Sequence, residues 1–256
     1  MEAAGQMLVY LPDSSVCDTV RAYAHYLQGL LGDQICYKPM ISNEDVTRIK
    51  QAGANCDLIV FGEPEQSWLE TLLIGRPVDQ VVAQSSTSLL LARQPRWPIK
   101  RILLILRIDQ TDEAAVCWLA RLAQPRVTAV TILPIMPSLP AMYRQGSGVQ
   151  PGLDVLLSPN TPSGRHLRQL AEQLKQWQIE GDLHLRQGEP DWQIRDEVAN
   201  KNYDLILIGA EPHGRLYRFL LGELVGPLLS WVDRPLLIAR LPQLGMEKGN
   251  GQFATH

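Results

Sequence analysis

The sequence has 256 residues, with 24 Lys and Arg against 27 Asp and Glu and a formal net charge of −3. This length predicts one large domain or two small ones, and the charge argues against a broad nucleic-acid-binding face. No apolar run approaches the roughly 18 residues that span a bilayer, and the N-terminal segment lacks the features of a signal peptide, so we expect a cytoplasmic protein with no transmembrane segment.

The first half of the chain predicts strands that alternate with helices. Met7–Leu11 is apolar and predicts a strand, Asp18–Leu31 has helical periodicity, and Ile35–Tyr37 predicts a weak strand. A helix is expected over Glu44–Ala54. The remainder predicts a βαβ unit, with a helix at 67–84 between strands at 57–62 and 89–93.

The second half predicts the same alternation with one more strand. Thr111 is the expected N-cap of its first helix, and the segment 134–165, rich in Pro, Gly and Ser, predicts the longest loop. The expected strands are 102–106, 127–133, 183–186, 204–209 and 236–240, and further helices are expected at 167–177, 192–200 and 214–231. The first half therefore lacks one βα unit.

An internal repeat divides the chain. Residues 57–93 align without a gap with residues 204–240, and 12 of the 37 positions are identical, including both strand-end glycines. Such self-similarity predicts a tandem duplication. The two prolines of Gln94–Pro98 suit a stiff linker, which predicts domains at 1–94 and 99–242 and a flexible tail at 243–256.

The second half resembles a universal stress protein domain over nearly its whole length. The residues that carry the resemblance are the first strand Ile102–Arg107, the Gly-x-Pro at Gly188–Pro190, the strand Asp204–Gly209, the helix segment Leu220–Glu223 and the last strand Pro235–Arg240. The first half resembles a shortened copy. The resemblance implies an α/β fold of two tandem, doubly wound, parallel-sheet domains (adenine nucleotide alpha-hydrolase-like) that form a pseudo-dimer, the first one shortened.

One branch of this family binds nucleotide through a loop of the form G-x2-G-x9-G-(S/T). Glycines after a strand let backbone N–H groups approach phosphates, and a helix N-terminus adds a favourable dipole. The sequence matches at Gly209 and Gly222 but has Pro212 at the second glycine and Glu223 at the hydroxyl position. Proline removes a donor and glutamate adds an anion, so the loop is degenerate.

Other positions bear on the same candidate site. Arg107 stands where the family has an Asp, and Gly214 and Arg215 are candidates to rebuild part of a phosphate loop. The candidate nucleotide-binding residues are thus Gly209, Gly214, Arg215, Gly222 and Arg107. The first-half loop departs in the same way, with Gly62, Glu65, Gly75 and Arg76 at the motif positions. The alternative is that these glycines serve only turns and helix packing.

The preferred hypothesis is a non-enzymatic, regulatory stress-response protein that acts through protein partners, alone or as a subunit of a larger assembly. The alternative is an ATP- or AMP-binding stress sensor that uses the Gly209–Gly222 loop. We expect no catalytic residues and no resident cofactor. The cysteines and histidines are dispersed without ligand spacing, so no metal site is expected.

The resemblance implies antiparallel contact between last strands, since dimers of this family commonly form in that way. Here the last strands are Leu89–Arg93 and Leu236–Arg240, which are nearly uninterrupted apolar runs, and each would lie at the edge of its own sheet. An unpaired strand edge is an aggregation liability, and two such edges in one chain satisfy each other at high effective concentration. We therefore predict an intramolecular seam with Leu90 and Leu237 near a local twofold axis. Pairing of each edge with a second chain, which would give a homo-oligomer, and capping by the loop at 134–165 are the alternatives.

Overall fold

The computed structural model describes residues 5–11, 17–39, 56–62, 87–107, 112–135, 158–186, 189–209, 228 and 231–240. The strands are β1 (Gln6–Leu11), β2 (Gln34–Pro39), β3 (Leu58–Gly62), β4 (Ser88–Ala92), β5 (Arg101–Arg107), β6 (Ala129–Ile135), β7 (Glu180–Leu183), β8 (Leu205–Gly209) and β9 (Leu236–Ala239). The helices are α1 (Cys17–Leu31), α2 (Glu113–Leu122), α3 (Pro162–Gln176) and α4 (Pro190–Asn200).

All nine strands form one sheet in the order β2-β1-β3-β4-β9-β8-β5-β6-β7. Every neighbouring pair is parallel except β4 and β9, which are antiparallel. The α/β class and the parallel pairing within each half are as predicted. At the β4–β9 junction, hereafter the seam, Leu90 lies opposite Leu237, which confirms the predicted pairing of these two leucines.

The central strands are almost entirely apolar because both faces of the sheet are covered, and Ser88 at the start of β4 is the polar exception. All positions of β3, β4, β8 and β9 are buried, as expected of strands between two helical layers. Alternate residues enter two hydrophobic cores. One contains Leu90 and Leu237 and side chains of α1, α2 and α3; the other contains Leu89, Leu236 and side chains of α4.

The two halves of the sheet repeat one local pattern. Gln34 N donates to Gly5 O at 2.8 Å in the first half, and Ala129 N donates to Lys100 O at 2.8 Å in the second. The strand order outward from the seam is β4-β3-β1-β2 in the first half and β9-β8-β5-β6 in the second, and β7 is an additional strand at the end of the second half. The described residues thus give four strands before the linker and five after it, in line with the predicted missing unit.

Several predicted boundaries were wrong. The strand expected at 183–186 is β7 at Glu180–Leu183, whose polar sequence is tolerated because it lies at the sheet edge and is largely exposed. The two ends of the loop expected at 134–165 belong to other elements, since β6 continues to Ile135 and α3 begins at Pro162, and residues 136–157 lie outside the described residues. The helix α2 has Asp112, not Thr111, as its N-cap residue.

Some predicted elements lie outside the described residues. These are the helices at 44–54 and 67–84, most of the helix at 214–231, and the tail at 243–256. None of the described helices is long and apolar enough to cross a membrane.

Candidate functional site

The candidate nucleotide site lies where β5 and β8 end. β5 has β8 on one side and β6 on the other. The chain after β5 therefore adds β6 and β7 on one side of β5 and then β8 and β9 on the other side. In such sheets, ligands bind in the crevice beyond the carboxyl ends of the strands at this switch point. Arg107 ends β5 and Gly209 ends β8. Two predicted residues therefore share this edge, whereas Gly214, Arg215 and Gly222 lie outside the described residues.

Gly209 is in close contact with the start of α2. A Cβ atom built on Gly209 would lie 2.7 Å from Oδ1 of Asp112 and 3.1 Å from its Cγ. Asp112 is 1% exposed, so the carboxylate has little room to withdraw. The need for glycine at position 209 thus follows from the approach of this side chain and requires no bound ligand.

The N-terminus of α2 already has acidic side chains. Asp112 is the N-cap residue, and Glu113 occupies the first helical turn. A helix N-terminus attracts anions because its N–H groups and dipole are positive there. These carboxylates place negative charge at that end of the helix and would repel a phosphate at the same edge. The sequence analysis missed Asp112, although a helix-capping residue type directly before an apolar-periodic segment was the available signal.

A second polar cluster surrounds the buried Glu197 of α4. Its carboxylate accepts hydrogen bonds from the Tyr203 hydroxyl, from His184 Nδ1 at 2.9 Å and from Arg186 Nε at 2.8 Å. Burial alone would raise the pKa of Glu197, but these hydrogen bonds outweigh burial and lower the pKa. Since Lys201 Nζ lies 3.2 Å from His184 Nε2 and an ammonium only donates, the His184 proton is on Nδ1.

Polar contacts also join the two halves across the seam. The Ser88 hydroxyl accepts hydrogen bonds from Trp118 Nε1 at 2.7 Å and from Arg240 N at 2.9 Å, and it donates to Arg240 O at 3.1 Å. On one side of the sheet, Arg121 of α2 forms an ion pair with the buried Asp33 at 3.0 Å. The junction between the halves is therefore hydrogen-bonded as well as apolar.

Within the described ranges, no group of three or more His, Cys, Asp and Glu side chains is arranged to hold a metal ion.

Comparison with solved structures identifies similar folds, and two of them are universal stress proteins by their names. A universal stress protein from Archaeoglobus fulgidus DSM 4304 has a TM-score of 0.56 and 15% sequence identity, covering 93% of this chain and 86% of that one. A putative universal stress protein from Pseudomonas aeruginosa UCBPP-PA14 has a TM-score of 0.53 and 13% identity, covering 94% of each chain. At these identities the similarity concerns the fold alone.

Sequence comparisons complete the assignment. A search of curated proteins gives no match. The sequence model of the Universal stress protein family matches residues 98–240, which contain β5 to β9, the switch-point edge and more than half of the chain. The chain therefore belongs to the universal stress protein family.

Proposed function

We propose that this protein is a non-enzymatic regulator in the stress response that acts by binding other proteins. In this proposal the chain is a single-chain pseudo-dimer of two tandem domains, residues 1–94 and 99–242. Family membership supports the stress-response role. The antiparallel seam supports the pseudo-dimer, because it joins the last strand of one half to the last strand of the other.

The observation that carries the proposal is the acidic N-terminus of α2. Asp112 is buried against Gly209, at the edge where a nucleotide phosphate would need N–H donors and positive charge. Pro212 and Glu223 act in the same direction, since they replace a glycine and a hydroxyl of the family's nucleotide-binding loop. A protein with anions in this position is better suited to regulation through its surfaces than to nucleotide chemistry.

Thermal unfolding in the presence of ATP, AMP and MgATP tests this proposal. A ligand at 100 times its Kd stabilises the fold by about 2.7 kcal/mol, which would raise the Tm of a protein of this size by roughly 5–10 °C. We expect no shift at millimolar nucleotide and no release of phosphate from ATP. A low-micromolar Kd for ATP that is lost in Gly222→Val would contradict the proposal.

The second candidate is an ATP- or AMP-binding sensor. The observation that favours it is the meeting of Arg107 and Gly209 at the switch-point edge. If a residual site exists there, Pro212→Gly with Glu223→Ser should strengthen binding by restoring a donor and removing an anion. Asp112→Asn is the matched variant, since it removes one charge and keeps the shape of the side chain. A measurable gain from Asp112→Asn alone would show that this carboxylate excludes nucleotide.

A further inference from the structure

Among the described strands, β2 is the outermost strand of the first half. Within the described residues, β2 pairs with β1 and has no second neighbour. Gln34, Cys36, Tyr37 and Lys38 are exposed, and Tyr37 is 37% exposed. This edge carries one charged side chain, whereas β7 at the opposite edge is four residues long and carries Glu180 and Asp182. Short length, charge and proline protect an edge against pairing. In β2 the charge and the proline are confined to the end, at Lys38 and Pro39, so Gln34–Tyr37 is the less protected part of the two edges.

The corresponding strand of the second half shows what such an edge accepts. Gln34 corresponds to Ala129, because each donates its N–H to the residue that precedes the neighbouring strand. Tyr37 then corresponds to Ile132. The Ile132 carbonyl accepts a hydrogen bond of 2.9 Å from His184 N, at the end of the parallel strand β7. β2 thus corresponds to β6, a strand whose outer edge is paired with β7.

The backbone direction of β2 identifies the groups that a new strand would meet. In a parallel strand, the N–H and C=O of successive residues point alternately to the two sides. Because Gln34 N points to β1, Ile35 and Tyr37 direct their N–H and C=O groups outward. Two donors and two acceptors are therefore available along this edge.

Side chains beside the edge define the chemistry of the partner. Lys38 is exposed on β2 and points to the opposite face of the strand from Tyr37, whose ring centre lies 5.7 Å from the Arg21 guanidinium. Suppose that a new strand pairs with β2 in the register in which β7 pairs with β6. The residue of the new strand that corresponds to Asp182 would then lie on the Lys38 face, and the residue that corresponds to Leu183 would lie beside Tyr37. A second copy of β2 would bring another Lys38 and no carboxylate. The edge therefore favours an extended segment with acidic residues on one face and an aliphatic residue on the other.

We propose that β2 is a strand-addition site at which an extended acidic segment of a partner protein pairs in parallel, as β7 does on β6. Backbone hydrogen bonds supply affinity in this mode of recognition, and alternate side chains supply specificity. The inference rests on the proposed function, since it names the surface through which a regulator of this kind binds.

The probe is a fluorescein-labelled, end-capped peptide of residues 178–186, which contains β7. Titration with the whole protein, followed by fluorescence anisotropy, should show saturable binding. Tyr37→Pro should weaken binding by at least about tenfold, because it removes one outward N–H and places a ring against the incoming strand. Tyr37→Val is the matched control, which keeps the N–H and should bind within about threefold of the wild type.

Hydrogen exchange on the wild-type protein provides a test that does not depend on whether Tyr37→Pro folds. Saturating peptide should protect the Ile35 and Tyr37 amides. A peptide with Lys in place of Glu180 and Asp182 should bind more weakly. Equal binding by Tyr37→Pro and Tyr37→Val, or protection confined to other strands, would overturn the site. Protection of these amides at high protein concentration without peptide would overturn the choice of partner in favour of a second copy.

This outcome is separable from the proposed function. Failure of the peptide to bind removes the β2 site and leaves the nucleotide result unchanged. Tight ATP binding would instead overturn the proposed function whatever the peptide does.

Discussion

Leu90→Ala tests whether the seam couples the stability of the two halves. Leu90 is 1% exposed, and its partner across the seam, Leu237, is 0% exposed. Both belong to the core that α1 and α2 cover. Truncating a buried leucine costs about 3–5 kcal/mol, from lost transfer energy and from the cavity left behind. Here that cavity would lie beside Leu237 on the face of the sheet that α1 and α2 cover, so the cost falls on a contact shared by both halves.

Native-state hydrogen exchange measures this cost strand by strand. Ile59 and Val60 of β3 report on the first half, and Ile206 and Leu207 of β8 report on the second. If the two halves open together, a loss of about 3 kcal/mol accelerates exchange on the order of 100-fold at both places. The substitution is in the first half, so acceleration in β8 is the informative result.

A buried leucine far from the seam supplies the control. Leu174 of α3 is 3% exposed and packs at the β6–β7 end of the sheet. Leu174→Ala should accelerate exchange in α3 and β7 and leave β3 slow. If Leu90→Ala accelerates amide exchange in β3 but leaves exchange in β8 as slow as in the wild type, the two halves are not coupled through the seam.

Three further substitutions test the polar contacts. Ser88→Ala leaves the Trp118 indole N–H without its acceptor and should lower the free energy of unfolding in urea by about 2 kcal/mol. Glu197→Gln should lower the free energy of unfolding by about 2 kcal/mol at pH 7. Because the pKa of Glu197 is lowered in the folded state, the wild type has this stability above a pH of about 4.5 and loses it as the pH falls further. The variant should therefore lose less stability than the wild type on acidification. Gly209→Ala should lower the free energy of unfolding by about 1–3 kcal/mol, measured as a lower Tm. Adding Asp112→Ala should recover part of that loss, since the new methyl group then meets no carboxylate. Strictly additive effects of the two substitutions would contradict the contact.

The central sheet was predictable because its strands are buried on both sides. The continuous apolar runs of β3, β4, β8 and β9 leave little ambiguity, and the repeat at constant spacing identifies corresponding strands before any coordinates. The pairing of Leu90 with Leu237 was predicted from the family resemblance, in which last strands pair, and from the unpaired edge that each of these strands would otherwise leave.

The edges and the site were less predictable for physical reasons. β7 has the sequence Glu-Gly-Asp-Leu, and an edge strand that is paired on one side and largely exposed needs no apolar pattern. The contact of Asp112 with Gly209 joins residues 97 positions apart. The partners of Glu197 precede and follow it without any motif spacing. Such contacts depend on how the helices are placed on the sheet, which periodicity does not specify.

The unequal number of described strands on the two sides of the seam has an evolutionary consequence. In a dimer of identical chains every substitution, insertion or deletion occurs twice, so both ends of a shared sheet change together. A single chain that contains both sides is free of this restriction, and one side can lose a strand while the other keeps it. This molecule has a strand at one end, β7, with no counterpart among the described strands at the other. Selection can therefore act on the two sheet edges separately, so that the β7 edge stays protected against pairing while the β2 edge evolves a different function.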